Sequence, residues 1–457
     1  MVNSRWSRGL VACVSLSLFG LAGCSKPPGA GGAAGGPAAS PSKPVLNEPA
    51  KPANVPAAPT RQATADASDV KAARARIEAL GSRSQYKPKT GDLLTEIVIQ
   101  DGSNLNPEDI TLIGKLSDLE KLQIFNCRVL NDEMAAKLAA LKGLTSLALT
   151  NSGIKDVTVE LIAKSFPKLT ELDLSSNTNM TNGVVKILTG LEKLQRLTLV
   201  QNRVNDIGAQ RLAKLQELRS LDLRGNMEAG DMALEVIADL PKLVVFKHRS
   251  TAVTDSGLGQ LARSQTLDSL LMQDFVITDQ SGPHLAKLAK LTQLEIFRCQ
   301  GFGSEGVLAL KGTGLTRLTL RDLPSIDDRA LEVFDDLPKL RRLYLHELSS
   351  VGDSGLKHLA ALKSLELFDV WTLPQMSDAT VEVLATLPKL RELSIRATGV
   401  TDKTIDTLLK MPGLQSLTFK ENGSVTPDGL KKLASRKWTK LDLGTSGAAD
   451  SNDGVSP

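Results

Sequence analysis

Ser354 stands in the run Gly352-Asp353-Ser354-Gly355-Leu356, with His358 four residues further on. A serine becomes a nucleophile for acyl transfer when a base lies within hydrogen-bond reach and a third group orients that base. Here the sequence offers the serine and one imidazole, and no third member presents itself. The chain holds four histidines and two tyrosines, thin stock for acid–base catalysis. It has no GxxxxGK[ST] phosphate loop and no CxxC or HExxH spacing for a metal. No cofactor, metal or catalytic residue is therefore expected.

The cysteines carry a different chemistry. Arg5 and Arg8 open the chain, and Gly9 to Gly23 is uncharged. That segment is short for a membrane-spanning helix, which needs about 20 apolar residues, and suits the apolar core of an export signal. Leu21-Ala22-Gly23-Cys24 resembles the lipobox of bacterial lipoproteins. The resemblance implies cleavage before Cys24 and acylation of its thiol and new amino group, which places the protein in the bacterial cell envelope. Ser25 resembles the outer-membrane-destined pattern, because the retention-type Asp is missing. From Ser25 to about Ser68 the chain is mostly Ala, Pro, Gly, Ser and Lys, too poor in large apolar residues to fold. The expected organisation is a signal peptide (1–23), a disordered tether (24–68), a capping helix and lead-in (69–93), an array (94–444) and a disordered tail (445–457). Removing the two arginines of the signal takes the formal charge from +4 to +2. Such near-neutrality gives no ground for a nucleic-acid partner.

The array is one motif written many times. LQRLTLVQN from Leu194 and LRSLDLRGN from Leu218 each precede a short turn and an amphipathic helical stretch. The first leucine recurs from Leu94 to Leu414 in steps of 24 or 25 residues, and Trp438 takes its place in a fifteenth copy. Alternation of period two in LTL or LDL predicts a short strand with one buried face. Leu258, Leu261 and Ala262 lie at helical spacing, with Thr254 or Asp255 as the cap. Neither half could hide its apolar side alone, so neighbouring copies must stack. Before them, Val70, Ile77 and Leu80 form one face of a helix predicted over Asp69 to Leu80, which should cap the core.

LxxLxLxxN/C followed by TDxGLxxL resembles the leucine-rich repeat family, in its ribonuclease-inhibitor-like and cysteine-containing subtypes, over roughly Leu94 to Gly444. The resemblance implies an α/β solenoid: a right-handed horseshoe or arc, with parallel strands on the concave face and helices on the convex face. It implies a ladder of amides from Asn177, Asn202, Asn226 and Asn422, with Cys127 and Cys299 as the cysteine variant. Where Phe275, Leu323, Leu348 and Leu373 fill that slot, the ladder should turn apolar. Cys127 and Cys299 are seven copies apart, roughly 34 Å at strand spacing, against about 7 Å for a disulfide; they should be buried and unpaired. His248 falls on an inward leucine position, matching Leu223, and reads as a hydrogen-bonded core residue. Gly352-Asp353-Ser354-Gly355-Leu356 resembles serine-hydrolase strings, yet it fills the slot of Thr254-Asp255-Ser256-Gly257-Leu258 and is a helix start.

In LxxLxLxx the residue after the last leucine points out from the strand face. Early copies place Thr150, Ser175 and Val200 there, and later ones Phe297, Arg321, His346, Trp371 and Arg396, with Tyr344 beside the row. Trp, Tyr and Arg are enriched at binding hot spots, and Arg stacks on aromatic faces. These six residues mark the candidate ligand surface, for a protein or peptide on the concave face. The same residues would suit an envelope glycan, and the arginines could equally pair with Glu347, Glu366 and Asp369 as a solvated face. An enzyme with an unfamiliar site and a mechanical spacer with no ligand are the remaining alternatives.

Overall fold

The computed structural model describes residues 67–79, 83–86 and 94–444, all within one compact unit spanning Arg61–Pro457. The expected signal peptide with Cys13, the lipidation site Cys24, the tether as far as residue 66, Leu80 and the tail at 445–457 lie outside the described residues. Among the described residues no helix is long and apolar enough to cross a membrane.

One sheet of sixteen strands follows chain order from β1 (Arg83–Tyr86) to β16 (Lys440–Asp442). β2 (Leu94–Ile99) begins the repeats, and every later strand pairs parallel with the one before it. Pairing is in phase with the motif: Leu147, Leu172, Leu197 and Leu221 are successive partners. Each is at most 2% exposed, and burying one such side chain contributes about 1.5–3 kcal/mol. Helices, several of them 3₁₀, occupy the other half of each copy, and their apolar faces complete a single continuous core. This is the α/β leucine-rich repeat solenoid.

Two polar ladders tie the copies together. The first is the amide ladder: Nδ2 of Asn177 donates to the carbonyls of Leu149 and Leu174 at 2.7 and 2.9 Å, and Asn226 repeats the pattern with Leu199 and Leu223. Phe275, Leu323, Leu348 and Leu373 continue it as buried apolar contacts. Cys127 and Cys299 are buried free thiols, and burial pushes Cys299 up to about 12.

The second ladder explains the TDxG spelling. Thr254 caps the helix Asp255–Leu261 by accepting the Ser256 N–H. Asp255 turns forward instead, accepting from the Thr278 N–H and hydroxyl of the next copy at 3.0 and 2.8 Å. Asp231, Asp378 and Asp402 do the same to Thr254, Thr401 and Thr426. The carboxylate lies where the side chain three residues beyond the cap of the next helix would begin. A Cβ on Gly355 would sit 2.8 Å from Asp328 Oδ1, so that slot takes glycine. In other copies it takes a hydroxyl that donates to the carboxylate, as Thr380 does to Asp353 and Thr404 to Asp378.

After each outward-pointing residue the backbone usually turns left-handed, with φ between 46° and 61° at eleven non-glycine positions from Asn126 to Glu421, and 80° at Gly225. This ends the strand. At the N-terminal end, α1 (Ala67–Ala79) buries Ala73 and Ile77, with Val70 partly buried, and Arg76 clamps Asp109 through Nε and Nη2 at 2.9 and 3.0 Å. The antiparallel β1 lies along β2, so the lead-in contains a strand as well as the expected helix.

Candidate functional site

Five of the six sequence-selected residues fall on one continuous line. They end β10 (Gln293–Phe297), β11 (Arg317–Arg321) and β12 (Arg342–His346), and occupy equivalent positions in β13 (Leu367–Leu373) and β14 (Glu392–Thr398). Register pairs Phe297 with Arg321, Arg321 with His346, His346 with Trp371 and Trp371 with Arg396. Lys420, ending β15 (Ser416–Lys420), extends the line. Parallel pairing of identical motifs is what turns a period in the sequence into a row in space. The sixth residue, Tyr344, stands two positions before His346 on β12, with its ring edge-on to that imidazole at 6.1 Å.

Aromatic and cationic groups interleave along the line. The Arg321 guanidinium lies 4.6 Å from the Phe297 ring and 5.4 Å from that of Trp371. Arg396 lies 5.3 Å from Trp371. These distances are within cation–π range. Arg321 on β11 and Arg396 on β14 thus both bring a guanidinium over the same indole. His346 meets Trp371 edge-on at 6.2 Å. Arg317 covers Tyr344 at 4.8 Å, and Arg298 covers Phe297 at 4.5 Å.

The arginines do find carboxylates, as the solvated-face alternative requires, but unevenly. Arg341 grips Glu366 with bonds of 2.8 to 3.0 Å, and Arg298 grips Asp274 at 2.7 and 3.1 Å. In the row itself Arg321 reaches Glu347 at 3.5 Å, and Arg396 reaches Asp369 at 3.4 Å, both longer than a well-made N–H···O bond. The Nε atoms of Arg321 and Arg396 are buried without a hydrogen-bond partner. Asp369 also faces His346 Nε2 at 3.3 Å. Its burial raises the carboxyl pKa, but His346, Arg396 and Ser394 outweigh that and hold it below the ordinary aspartate value.

A shallow depression of about 370 Å³ opens beside Arg396. Ser394, Ser416 and Thr418 contribute to its lining, together with Lys420, Lys440 and Asp442. The residues of the row do not announce it, because it depends on side chains that are small. The signal was present in the middle residue of each L-x-L, where Ser394 and Thr418 follow Tyr344 and Asp369. Elsewhere, Val157, Ile207 and Val276 are at least 60% exposed, which their place in the repeat does not announce.

The Ser354 region is a helix start, as its slot implies. Asp353 serves Ser377 and Thr380 of the next copy. His358 does acquire a carboxylate, Asp335, at 2.9 Å in the preceding copy, which the sequence did not disclose. No hydrogen bond joins Ser354 to His358 among the described residues. His248 is fully buried, its Nδ1 3.1 Å from the Leu223 carbonyl and its Nε2 2.8 Å from that of Ala229. Burial pushes its pKa down, against the opposing pull of those two carbonyls. No three His, Cys, Asp or Glu side chains converge as a metal site among the described residues.

Comparison with known proteins agrees with the architecture. Two leucine-rich repeat families match, over residues 167–227 and 287–311. Among solved structures, that of the yeast Rad7 and Elc1 complex aligns with a TM-score of 0.54 at 16% identity, covering 82% of this chain and 92% of the matched one. An internalin from Listeria monocytogenes aligns with a TM-score of 0.48 at 21% identity, covering 71% and 93%. No curated protein matches.

Proposed function

We propose that this leucine-rich repeat solenoid is a non-catalytic, lipid-anchored recognition or scaffold protein of the bacterial envelope, which binds a protein or peptide through its strand face. The observation that carries the reading is the unbroken line Phe297–Arg321–His346–Trp371–Arg396, built on adjacent strands from residue types enriched at hot spots. Aromatics make up 3% of the chain, so their gathering here is selective. A repeat array with a continuous core and a long solvent-facing sheet is suited to hold a partner.

Anchoring rests on Leu21-Ala22-Gly23-Cys24 and the tether that follows. Two or more acyl chains would hold the protein stably, at about 0.8 kcal/mol per buried methylene, and the tether would keep the array clear of head groups. The test is capture from native envelope. The double variant Trp371→Ala, Arg396→Ala should fold normally and lose the partner that the unaltered chain retains. Undiminished capture by that variant removes the strand face from the reading.

A further inference from the structure

We infer that the segment received on this face is an extended acidic peptide whose carboxylates are taken by Arg321 and Arg396. The inference rests on the strand-face reading above and gives the ligand its chemistry.

Three observations converge. First, the outward line from β10 to β15 is Phe297, Arg321, His346, Trp371, Arg396, Lys420, with cations and aromatics and no carboxylate. Second, its two arginines are held in place but poorly satisfied. Stacking fixes Arg321 between Phe297 and Trp371, and Arg396 against Trp371. Each guanidinium has five N–H donors, yet each makes one long bond to a carboxylate, at 3.5 and 3.4 Å. Arg341 shows what a satisfied pair looks like on the same solenoid, with three bonds to Glu366. Immobilised guanidinium heads with donors to spare are suited to bidentate carboxylates.

Third, the indole is already engaged, which argues against a sugar. A pyranose stacks on the negative face of an aromatic ring, and two guanidinium groups already lie over the Trp371 ring. The depression lined in part by Ser394, Ser416 and Thr418 leaves room beside Arg396 for a side chain of the ligand.

Strand spacing then sets the backbone register. Arg321 on β11 and Arg396 on β14 are three strands apart, about 14 Å at ~4.8 Å per strand, and an extended chain rising ~3.4 Å per residue covers about 14 Å in four residues. The two guanidinium groups converge on Trp371, 5.4 and 5.3 Å from its ring centroid, so the two ligand carboxylates lean inward from that spacing to meet them. Side chains at i and i+4 of an extended chain share a face. The expected motif is therefore Glu-x-Φ-x-Glu crossing the strands, with Φ apolar and packed on the edges of His346 and Trp371. The same two residues on a helix would be only about 6 Å apart.

The test uses the full chain, with binding read by anisotropy of fluorescein-labelled peptides. The probes are a peptide centred on Glu-Gly-Leu-Gly-Glu, its Gln-Gly-Leu-Gly-Gln counterpart, one with adjacent glutamates, and polygalacturonate as a carboxylate-bearing glycan competitor. The first peptide should bind at least tenfold more tightly than the second and third. Its affinity should fall with added salt, and fall at least tenfold in Arg321→Gln and in Arg396→Gln at unchanged thermal midpoint. Equal binding of the Gln peptide, indifference to the arginines, displacement by polygalacturonate below the peptide's own concentration range, or no binding of the first peptide would each overturn the inference. A partner crosslinked to the strand face through a non-acidic segment would overturn it too, while leaving strand-face recognition intact. Loss of neither partner nor crosslink in the Trp371→Ala, Arg396→Ala variant would instead remove the underlying reading.

Discussion

Asp353 of one copy accepts from the backbone N–H of Ser377 in the next at 3.0 Å, and from its hydroxyl at 2.5 Å. A carboxylate thus serves the cap of a helix in another copy, not the start of its own. Its burial raises the pKa, but the hydroxyls of Ser377 and Thr380 outweigh that and hold it below 3.8; Asp255 and Asp378 are lowered in the same way by bonds from the following copy. Replacing Asp353 by Ala should cost about 0.5–2 kcal/mol, the range for a lost cap, measured by urea unfolding.

The same carboxylates set an acid limit. Their folded pKa lies below the unfolded one, so the folded state favours the ionised form, and their contribution is present above the ordinary aspartate value. It is lost as the pH falls through the folded values, below about pH 4. The triple variant Asp255→Asn, Asp353→Asn, Asp378→Asn should start less stable at pH 7 and lose less between pH 5 and 3. Parallel stability–pH curves would exclude the ladder as the cause.

His248 titrates higher and with the same sense. Burial lowers its pKa in the fold, so the unfolded chain takes up a proton near pH 6.5 that the native chain resists, and stability should fall as pH drops below that value. His248→Leu, which restores the residue type of Leu223, should flatten the stability profile between pH 7 and 5. An unchanged slope there would mean that the buried ring carries its charge in the folded state.

Leu221 is fully buried in mid-array. Leu221→Asp would place an unpaired carboxylate among leucines, a change of at least about 4 kcal/mol. Loss of soluble, folded protein by circular dichroism is expected. A variant as heat-resistant as the parent would mean that the register is misassigned.

Thr372 follows Trp371 at φ 55° and is exposed, while Asn126 and Asn151 fill the same slot at φ 57° and 46°. A β-branched residue is strained in the left-handed region, which asparagine tolerates. Thr372→Asn should raise stability by roughly 0.5–1 kcal/mol, checked by thermal unfolding, with partner capture unaltered.

What the sequence disclosed was whatever repeats. A period of 24 or 25 residues places Leu147, Leu172 and Leu197 on one buried line, and the same arithmetic places Arg321, His346 and Trp371 on one outward, half-buried line. The thiols at 127 and 299 and the buried imidazole at 248 followed from slot alone. What escaped was set by particular neighbours. β1, spelled Arg-Ser-Gln-Tyr, has no apolar alternation and exists because β2 offers an edge. The forward reach of Asp255 past its own helix is visible only once the next copy is in place. The depression beside Arg396 arises from missing volume, and the loose pairing of Arg321 with Glu347 depends on rotamers that stacking selects.

The account turns on the later half of the strand face being where a partner sits. A photo-crosslinking residue placed at 371 or 396, in cells, should give a discrete protein adduct, while the same residue at 175 or 200, on the early half of that face, should give none. Adducts of equal yield at all four positions, or none at 371 and 396, would contradict it.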